Sequence, residues 1–241
     1  MTIKRPSIEK IRLENLSFGY ESSDPLLSHI DFDLPTDQVV WIKAASGSGR
    51  SSLLQLLAGL QIPQTGAIYF NDDNITEMSF EEFLPYRLSI GYAFDYGGLI
   101  NNRSMFENLT LPLLYHKVLP SKDAYQRVEY YIEMFKMHRY RDLRPAMVPG
   151  GVRKLVCLIR SFILHPQVLL LDDPSVGLGQ ETIYKLVDTI HHLRKEGHLR
   201  HIYMSSFDEK FAHLFESNVI HIDGGCLHYE KVAQEKRIVG L

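Results

Sequence analysis

The chain has 241 residues, 45% of them apolar, and a formal net charge of −3. This length and apolar content support one large α/β domain with a substantial core, and they exclude a disordered or low-complexity chain. The near-neutral balance provides no general electrostatic drive toward nucleic acid, so no nucleic-acid partner is expected.

The N-terminal stretch 1–10 is polar and carries no apolar signal-peptide core. Residues 11–20 read as an extended segment, and 31–34 alternate as a strand that stops at Pro35. Val39-Val40-Trp41-Ile42 is a short β-type run that leads into a small-residue loop, 44–49. Leu53, Leu54, Leu56, Leu57 and Leu60 then recur at helical spacing over 51–60, with Gly59 and Pro63 near the helix end. From about 83 to 163 the character changes: helix formers and aromatics are frequent, β-branched runs are few, and 123–137 reads as an amphipathic helix. The β/α alternation resumes with a buried strand at 168–171, a helix at 181–196 and a strand at 201–205. Residues 218–223 and 226–229 flank Gly224-Gly225 as a hairpin. Strand–loop–helix units at both ends, with helices between them, predict a parallel sheet with a helical subdomain.

No uninterrupted apolar run approaches the ~20 residues needed to cross a bilayer. The chain is therefore expected to be soluble and to work at a membrane only through another protein. Cys157 and Cys226 lie in apolar stretches with no CxxC neighbour and are expected to be buried, reduced side chains. The eleven histidines are scattered, and the adjacent His191 and His192 cannot share a helix face at ligand spacing, so no zinc site is expected.

Residues 44–52 read Ala-Ala-Ser-Gly-Ser-Gly-Arg-Ser-Ser, after a predicted strand and at the start of a predicted helix. That is the context of a phosphate loop, G-x-x-x-x-G-K-[ST], although Ala44 stands at the first glycine and Arg50 at the lysine. Successive backbone N–H groups there wrap an anion, and the helix dipole favours it. Gly47 and Gly49 permit close backbone approach. The candidate contacts to a nucleotide are Ser46, Gly47, Ser48, Gly49, Arg50, Ser51 and Ser52, with the Ser51 hydroxyl toward magnesium. Taken alone, the stretch also reads as a glycine–serine turn. The strand 168–171 runs into Asp172, a carboxylate placed to orient magnesium through its waters.

The longer run Leu169-Leu170-Leu171-Asp172-Asp173-Pro174-Ser175-Val176-Gly177-Leu178 resembles the LLLDEPTSGLD segment of ATP-binding-cassette ATPases. Val148-Pro149-Gly150-Gly151-Val152, with Arg160 nearby, resembles their LSGGQ signature and its helix. Ile90-Gly91-Tyr92-Ala93-Phe94-Asp95 sits where their Q-loop belongs, and Met204-Ser205-Ser206-Phe207-Asp208 where their switch histidine belongs. Tyr20 closes a segment similar to their LSFxY, whose aromatic stacks on adenine.

Order and spacing match from Ile11 to about Tyr229. The chain thus resembles the nucleotide-binding subunit of an ATP-binding-cassette (ABC) transporter. The resemblance implies one ABC ATPase domain over 1–241, a phosphate-loop α/β core with a parallel sheet (about 1–94 and 164–241). An N-terminal antiparallel β subdomain and a helical subdomain insert (about 95–163) complete it.

It implies ATP and Mg2+ as cofactors, with Ser51, Asp172 and Asp95 on the metal. Asp173, Phe207 and Asp95 fall at catalytic positions, and Pro149, Gly150 and Gly151 face the nucleotide of a second subunit. That second subunit makes a homo- or heterodimer. An integral membrane permease is the other implied partner, docked near 95–103 at the cytoplasmic face of the inner membrane. Gly98-Leu99-Ile100 with Met105-Phe106-Glu107-Asn108-Leu109-Thr110-Leu111-Pro112-Leu113 resembles a pattern shared by lipid and lipoprotein transporters. Pro145 and residues 148–154 resemble the PxxLSGGMRKR version of the Mce/Mla-type phospholipid-trafficking ATPases.

Departures from the family pattern fall on the chemistry. Arg50 keeps the charge of the lysine it replaces but is bulkier and binds phosphate as a fork. Asp173 replaces a glutamate and is one methylene short of the attacking water; a displacement near 1 Å costs ~10²-fold in rate. Phe207 replaces a histidine and donates no hydrogen bond, a loss of ~3 kcal/mol by analogy with an oxyanion donor. Asp95 replaces a glutamine and repels a triphosphate. Pro149 removes both a hydroxyl and an N–H from the signature. Val152 and Gly179 replace polar residues of the signature and of the loop that communicates across the dimer. The expectation is weakened ATP binding with slow or absent hydrolysis. The alternative is an inactive regulatory or scaffold pseudo-ATPase of a membrane complex.

Overall fold

The computed structural model describes residues 4–20, 25–95 and 98–232. Residues 1–3, 21–24 and 233–241 of the expected core lie outside the described residues. Strand β1 (Ile11–Phe18) buries Ile11, Leu13, Leu16 and Phe18, and its alternation slips by one at Asn15. Asn15 sits at φ +43°, and both neighbouring ladders shift register there, so it is the extra residue of a β-bulge that returns Leu16 to the core face. β1 pairs antiparallel with β2 (Leu27–Leu34) and with β4 (Thr65–Phe70), and β5 (Asp73–Asn74) completes a sheet of order β2-β1-β4-β5.

The second sheet has order β10-β9-β3-β8-β7-β6. β3 (Val39–Lys43), β6 (Ile90–Ala93), β7 (Val168–Asp172), β8 (His201–Ser205) and β9 (Asn218–Asp223) run parallel, and β10 (Cys226–Glu230) is an antiparallel edge. β7 and β8 are buried at every residue, as strands covered on both faces must be. Alternation sends Trp41, Leu169, Leu171, Ile202 and Met204 into one core. Val40, Ile42, Leu170, Tyr203 and Ile220 enter a second core, shared with the first sheet and with helix α1 (Arg50–Leu57).

Helix α2 (Phe80–Arg87) precedes β6. Helices α3 (Met105–Tyr115), α4 (Ser121–Met134) and α5 (Gly150–Phe162) lie between β6 and β7 and fill the first core. α6 (Gln180–Lys195) and α7 (Glu209–His213) flank β8. Among the described residues, no helix is long and apolar enough to cross a membrane.

The α/β core with its parallel strands, antiparallel sheet and intervening helices is the expected fold. Two helices stop short of their expected ends. α1 ends at Leu57, where Gly59 adopts φ +63° and Leu60 N–H turns back to Gln55 O at 2.9 Å. α4 ends at Met134, because Lys136 at φ +55° lets Met137 N–H reach Ile132 O at 2.8 Å. Cys157 is buried as expected, but Cys226 is exposed, since it opens the edge strand. Its apolar neighbourhood in sequence alternates across a ribbon with only Leu227 turned inward.

Candidate functional site

Parallel pairing brings the C-terminal ends of four strands to one edge. Ile42 and Asp172 both pair with Ser205, and Ala93 pairs with Leu171. The loops after β3, β6, β7 and β8 therefore converge where open α/β sheets bind ligands. The loop after β3 ends in Gly49 at φ +89°, the N-cap of α1. A Cβ there would meet Leu26 Cβ at 3.2 Å, so both torsion and space favour glycine. No side chain caps α1 and its first turn holds no acid, so its first amides and positive end face the loop open to an anion.

Asp172, 4% exposed, anchors the next layer. Its Oδ1 accepts from Ser51 Oγ at 3.0 Å and from Ser205 Oγ at 2.5 Å, and its Oδ2 accepts from the Tyr92 hydroxyl at 3.5 Å. Burial, with Asp172 beside it, pushes the Tyr92 phenol well above its usual range and keeps it protonated. Ser51 and Asp172 supply adjacent hydroxyl and carboxylate oxygens at the mouth of the loop, a donor set that fits Mg2+. Bound there, the ion would neutralise phosphate charge.

Asp173 follows at φ +41°, with its N–H 3.2 Å from both the carbonyl and the hydroxyl of Ser205. Its Oδ1 accepts the Phe207 N–H at 3.1 Å, so the carboxylate caps the turn after β8. The Phe207 side chain lies back over the loop, its ring centroid 3.5 Å from Arg50 Cζ. Arg50 is 8% exposed and, among the described residues, makes no ion pair. Tyr20 is half exposed and brings its hydroxyl to 3.5 Å from Ser52 Oγ, at the side of α1.

The signature-like residues lie elsewhere. Pro149 is the N-cap of α5, and Gly150 and Gly151 form its first turn. A Cβ on Gly151 would sit 2.4 Å from Gly177 O, so this helix end packs directly on the loop after β7. With Asp95, Lys154, Cys157 and Val176 the two glycines line a cavity of about 370 Å³ that no phosphate-loop residue enters. The structure thus joins Tyr20, residues 46–52, Asp172, Asp173 and Phe207 in one cluster, and leaves Pro149, Gly150 and Gly151 on a separate surface.

Between the two stands Lys154, which sequence reasoning missed as a site residue. It is 8% exposed, and Nζ donates to Phe94 O at 3.1 Å, Asp95 O at 3.1 Å and Asp172 O at 3.0 Å. Burial lowers its pKa, and the Asp95 carboxylate partly offsets that. Asp95 Oδ1 lies 3.6 Å from Nζ, within ion-pair range but without a hydrogen-bond partner among the described residues. Desolvation raises the Asp95 pKa against the pull of Lys154. Ser205 and Tyr92 were also missed as partners of Asp172. A lysine on the inward stripe of an apolar helix was the available signal for Lys154; Ser205 and Tyr92 carried none.

A glycine-bent loop on an open helix N-terminus, beside a hydroxyl–carboxylate pair at the edge of a parallel sheet, defines a phosphate-loop nucleotide-binding protein of the α/β class. Residues 27–176 match the family model for ABC transporters. The lipoprotein-releasing system ATP-binding protein LolD of Idiomarina loihiensis is 31% identical over 184 residues, covering 73% of this chain and 80% of that protein. LolD of Coxiella burnetii is 28% identical over 224 residues, 91% of this chain and 95% of that protein. The cell division ATP-binding protein FtsE of Haemophilus influenzae is 31% identical over 172 residues, 71% and 78% of the two chains. The fold is shared with the dimeric ATP-binding cassette MJ0796 bound to ADP and Pi, at a TM-score of 0.83 and 22% identity over 93% of this chain and all of that one. The chain belongs to the ABC transporter family.

Proposed function

We propose that the chain is the nucleotide-binding subunit of a lipid-handling ABC transporter, and that it binds nucleotide but hydrolyses it slowly or not at all. One observation carries the second half: Arg50 and Phe207, at the positions where the resemblance has lysine and histidine, stack on each other at 3.5 Å. A phenyl ring offers a γ-phosphate no donor. Asp173, the position expected to polarise water, has Oδ1 engaged by the Phe207 N–H at 3.1 Å.

In this reading residues 46–52 hold the phosphates and Tyr20 stacks on the base. Ser51 and Asp172, with Asp95 nearby, hold Mg2+. Pro149, Gly150 and Gly151 face the nucleotide of a second subunit, and the proline offers it neither hydroxyl nor N–H. The helical insert, about 95–163, forms a subdomain beside the core.

Docking to a membrane permease is supported by an apolar cavity of about 510 Å³ lined by Leu60, Phe80, Leu84, Tyr92, Phe94 and His116 among others. The stretch 95–103, expected to line the docking groove between the core and the helical subdomain, contributes Asp95, Leu99 and Asn101 to the cavity of about 370 Å³; Tyr96 and Gly97 lie outside the described residues. The lipid reading rests on the LolD relatives, named as lipoprotein-releasing, and on the Mce/Mla-like stretch 145–154.

The test is steady-state phosphate release by the chain purified with its membrane partner. We expect turnover near background, rising at least tenfold when R50K, D173E and F207H are combined. Robust wild-type turnover would overturn the slow-hydrolysis half. Recovery from native membranes only as a free chain would overturn the subunit half.

A further inference from the structure

The residue that opens α1 is a cation in the wrong field. Arg50 sits at the helix end whose dipole repels positive charge. It is 8% exposed and, among the described residues, no carboxylate lies within ion-pair range. Its neighbour is the Phe207 ring at 3.5 Å, and a ring face matches neither the charge nor the forked donors of a guanidinium as phosphate does. A guanidinium stacked on a ring above an uncapped helix start keeps its forked donors free for an anion. The first amides of α1 and the Arg50 guanidinium are donors gathered at this end of the site.

The wall beyond them has the opposite character. It consists of the donorless Phe207 ring and the carboxylate of Asp173, beside the carboxylates of Asp172 and Asp95 assigned to Mg2+. The Phe207 N–H is already given to Asp173, and the Ser205 hydroxyl to Asp172. The cation behind this wall, Lys154, directs its ammonium to the carbonyls of Phe94, Asp95 and Asp172. A phosphate chain seated on α1 would have these donors beside the groups nearest the helix, and the Phe207 ring and the Asp173 carboxylate beside whatever extends past them.

Resting on the nucleotide-binding reading above, we propose that this site selects nucleoside diphosphate: it binds ADP at least as tightly as ATP. Bound nucleotide then reports the diphosphate level of its surroundings rather than driving a cycle of triphosphate capture and cleavage. Arg50 is the selecting cation and Phe207 the wall that rejects the terminal phosphate.

The experiment is isothermal titration calorimetry of the full chain with ADP and with the non-hydrolysable AMP-PNP, both with Mg2+. The expected ratio of Kd for AMP-PNP to Kd for ADP is one or greater. In R50K/F207H, shown folded by circular dichroism, it falls about tenfold, the scale of one charge-assisted hydrogen bond. AMP-PNP binding the wild type tighter than ADP overturns the diphosphate proposal alone. A ratio unchanged in the folded double variant also overturns it. Binding of neither nucleotide overturns it together with the nucleotide-binding reading. The wild-type ratio needs no variant, so a misfolded R50K/F207H still leaves a decisive measurement.

Discussion

A lysine ammonium has three protons, and Lys154 places them on Phe94 O, Asp95 O and Asp172 O, from two separate loops. It therefore ties the start of α5 to the end of β7 and to the segment after β6. The donor is charged and buried, so each bond is stronger than a neutral one. Lys154→Met should cost about 3 kcal/mol of stability, read as a lowered urea midpoint with unchanged slope. A shift under about 0.5 kcal/mol would show that water replaces the ammonium. At this scale the site was legible where its members are adjacent in sequence. Residues 46–52 and the pair Asp172-Asp173 announce themselves by local composition. The Arg50–Phe207 stack was not legible: each side chain read as a separate loss, and only the fold reveals that the bulk of one covers the face of the other.

Element ends carry the next layer of organisation. The turn that follows α5 gives its carbonyls to two arginines from distant parts of the chain. Arg127 Nη1 donates to Ile163 O at 3.0 Å, and Arg5 Nη1 donates to Leu164 O at 2.8 Å and His165 O at 3.3 Å. These cations answer the negative end of the helix. His165 lies among them at φ +52°, with the His198 ring 4.2 Å away. Burial first, then Arg127, His198 and Arg5, push its pKa down to about 4. The unfolded chain takes up a proton near 6.5 that the folded chain refuses until about 4. Stability from this group is thus complete above 6.5 and is lost as pH falls toward 4, by roughly 2 kcal/mol after allowance for partial exposure. His165→Asn, whose side chain tolerates positive φ, should flatten that part of the stability–pH curve in urea melts at pH 7 and pH 4.5. An equal loss in both proteins would place the titration elsewhere. Ser104 makes a second such end: its hydroxyl accepts Glu107 N–H at 3.1 Å while Glu107 returns to its N–H at 2.7 Å. Ser104→Ala should cost about 1 kcal/mol by thermal melt. A Tm unchanged within a degree would mean the box is formed but not needed.

Over the whole molecule, legibility follows burial. β3, β7 and β8 were readable because parallel strands covered on both faces are unbroken apolar runs. β4 was not, since its exposed Thr65 and Gly66 break the pattern, and α2 and α3 carry Pro85 and Pro112 inside them, a usual mark of helix ends. Contacts to Asp172 from Tyr92 and Ser205 span 80 and 33 residues, beyond any local pattern. The apolar cavity of about 510 Å³ belongs to this scale, because α1, α2, β6 and the ends of α3 and α5 each contribute a wall. Phe80 stands at its rim, 68% exposed, so replacing it disturbs little of the fold. An exposed aromatic beside a wide apolar groove is the feature an amphipathic segment of a partner would cover. Phe80→Asp places a charge where that segment would bury apolar surface. On the proposed permease reading, it should cut recovery of that partner in co-purification by about tenfold or more. Nucleotide affinity should stay within about twofold, because the phosphate loop lies at the other end of α1. Undiminished recovery of the permease with Phe80→Asp would move the docking surface to the cavity around Asp95 and Leu99.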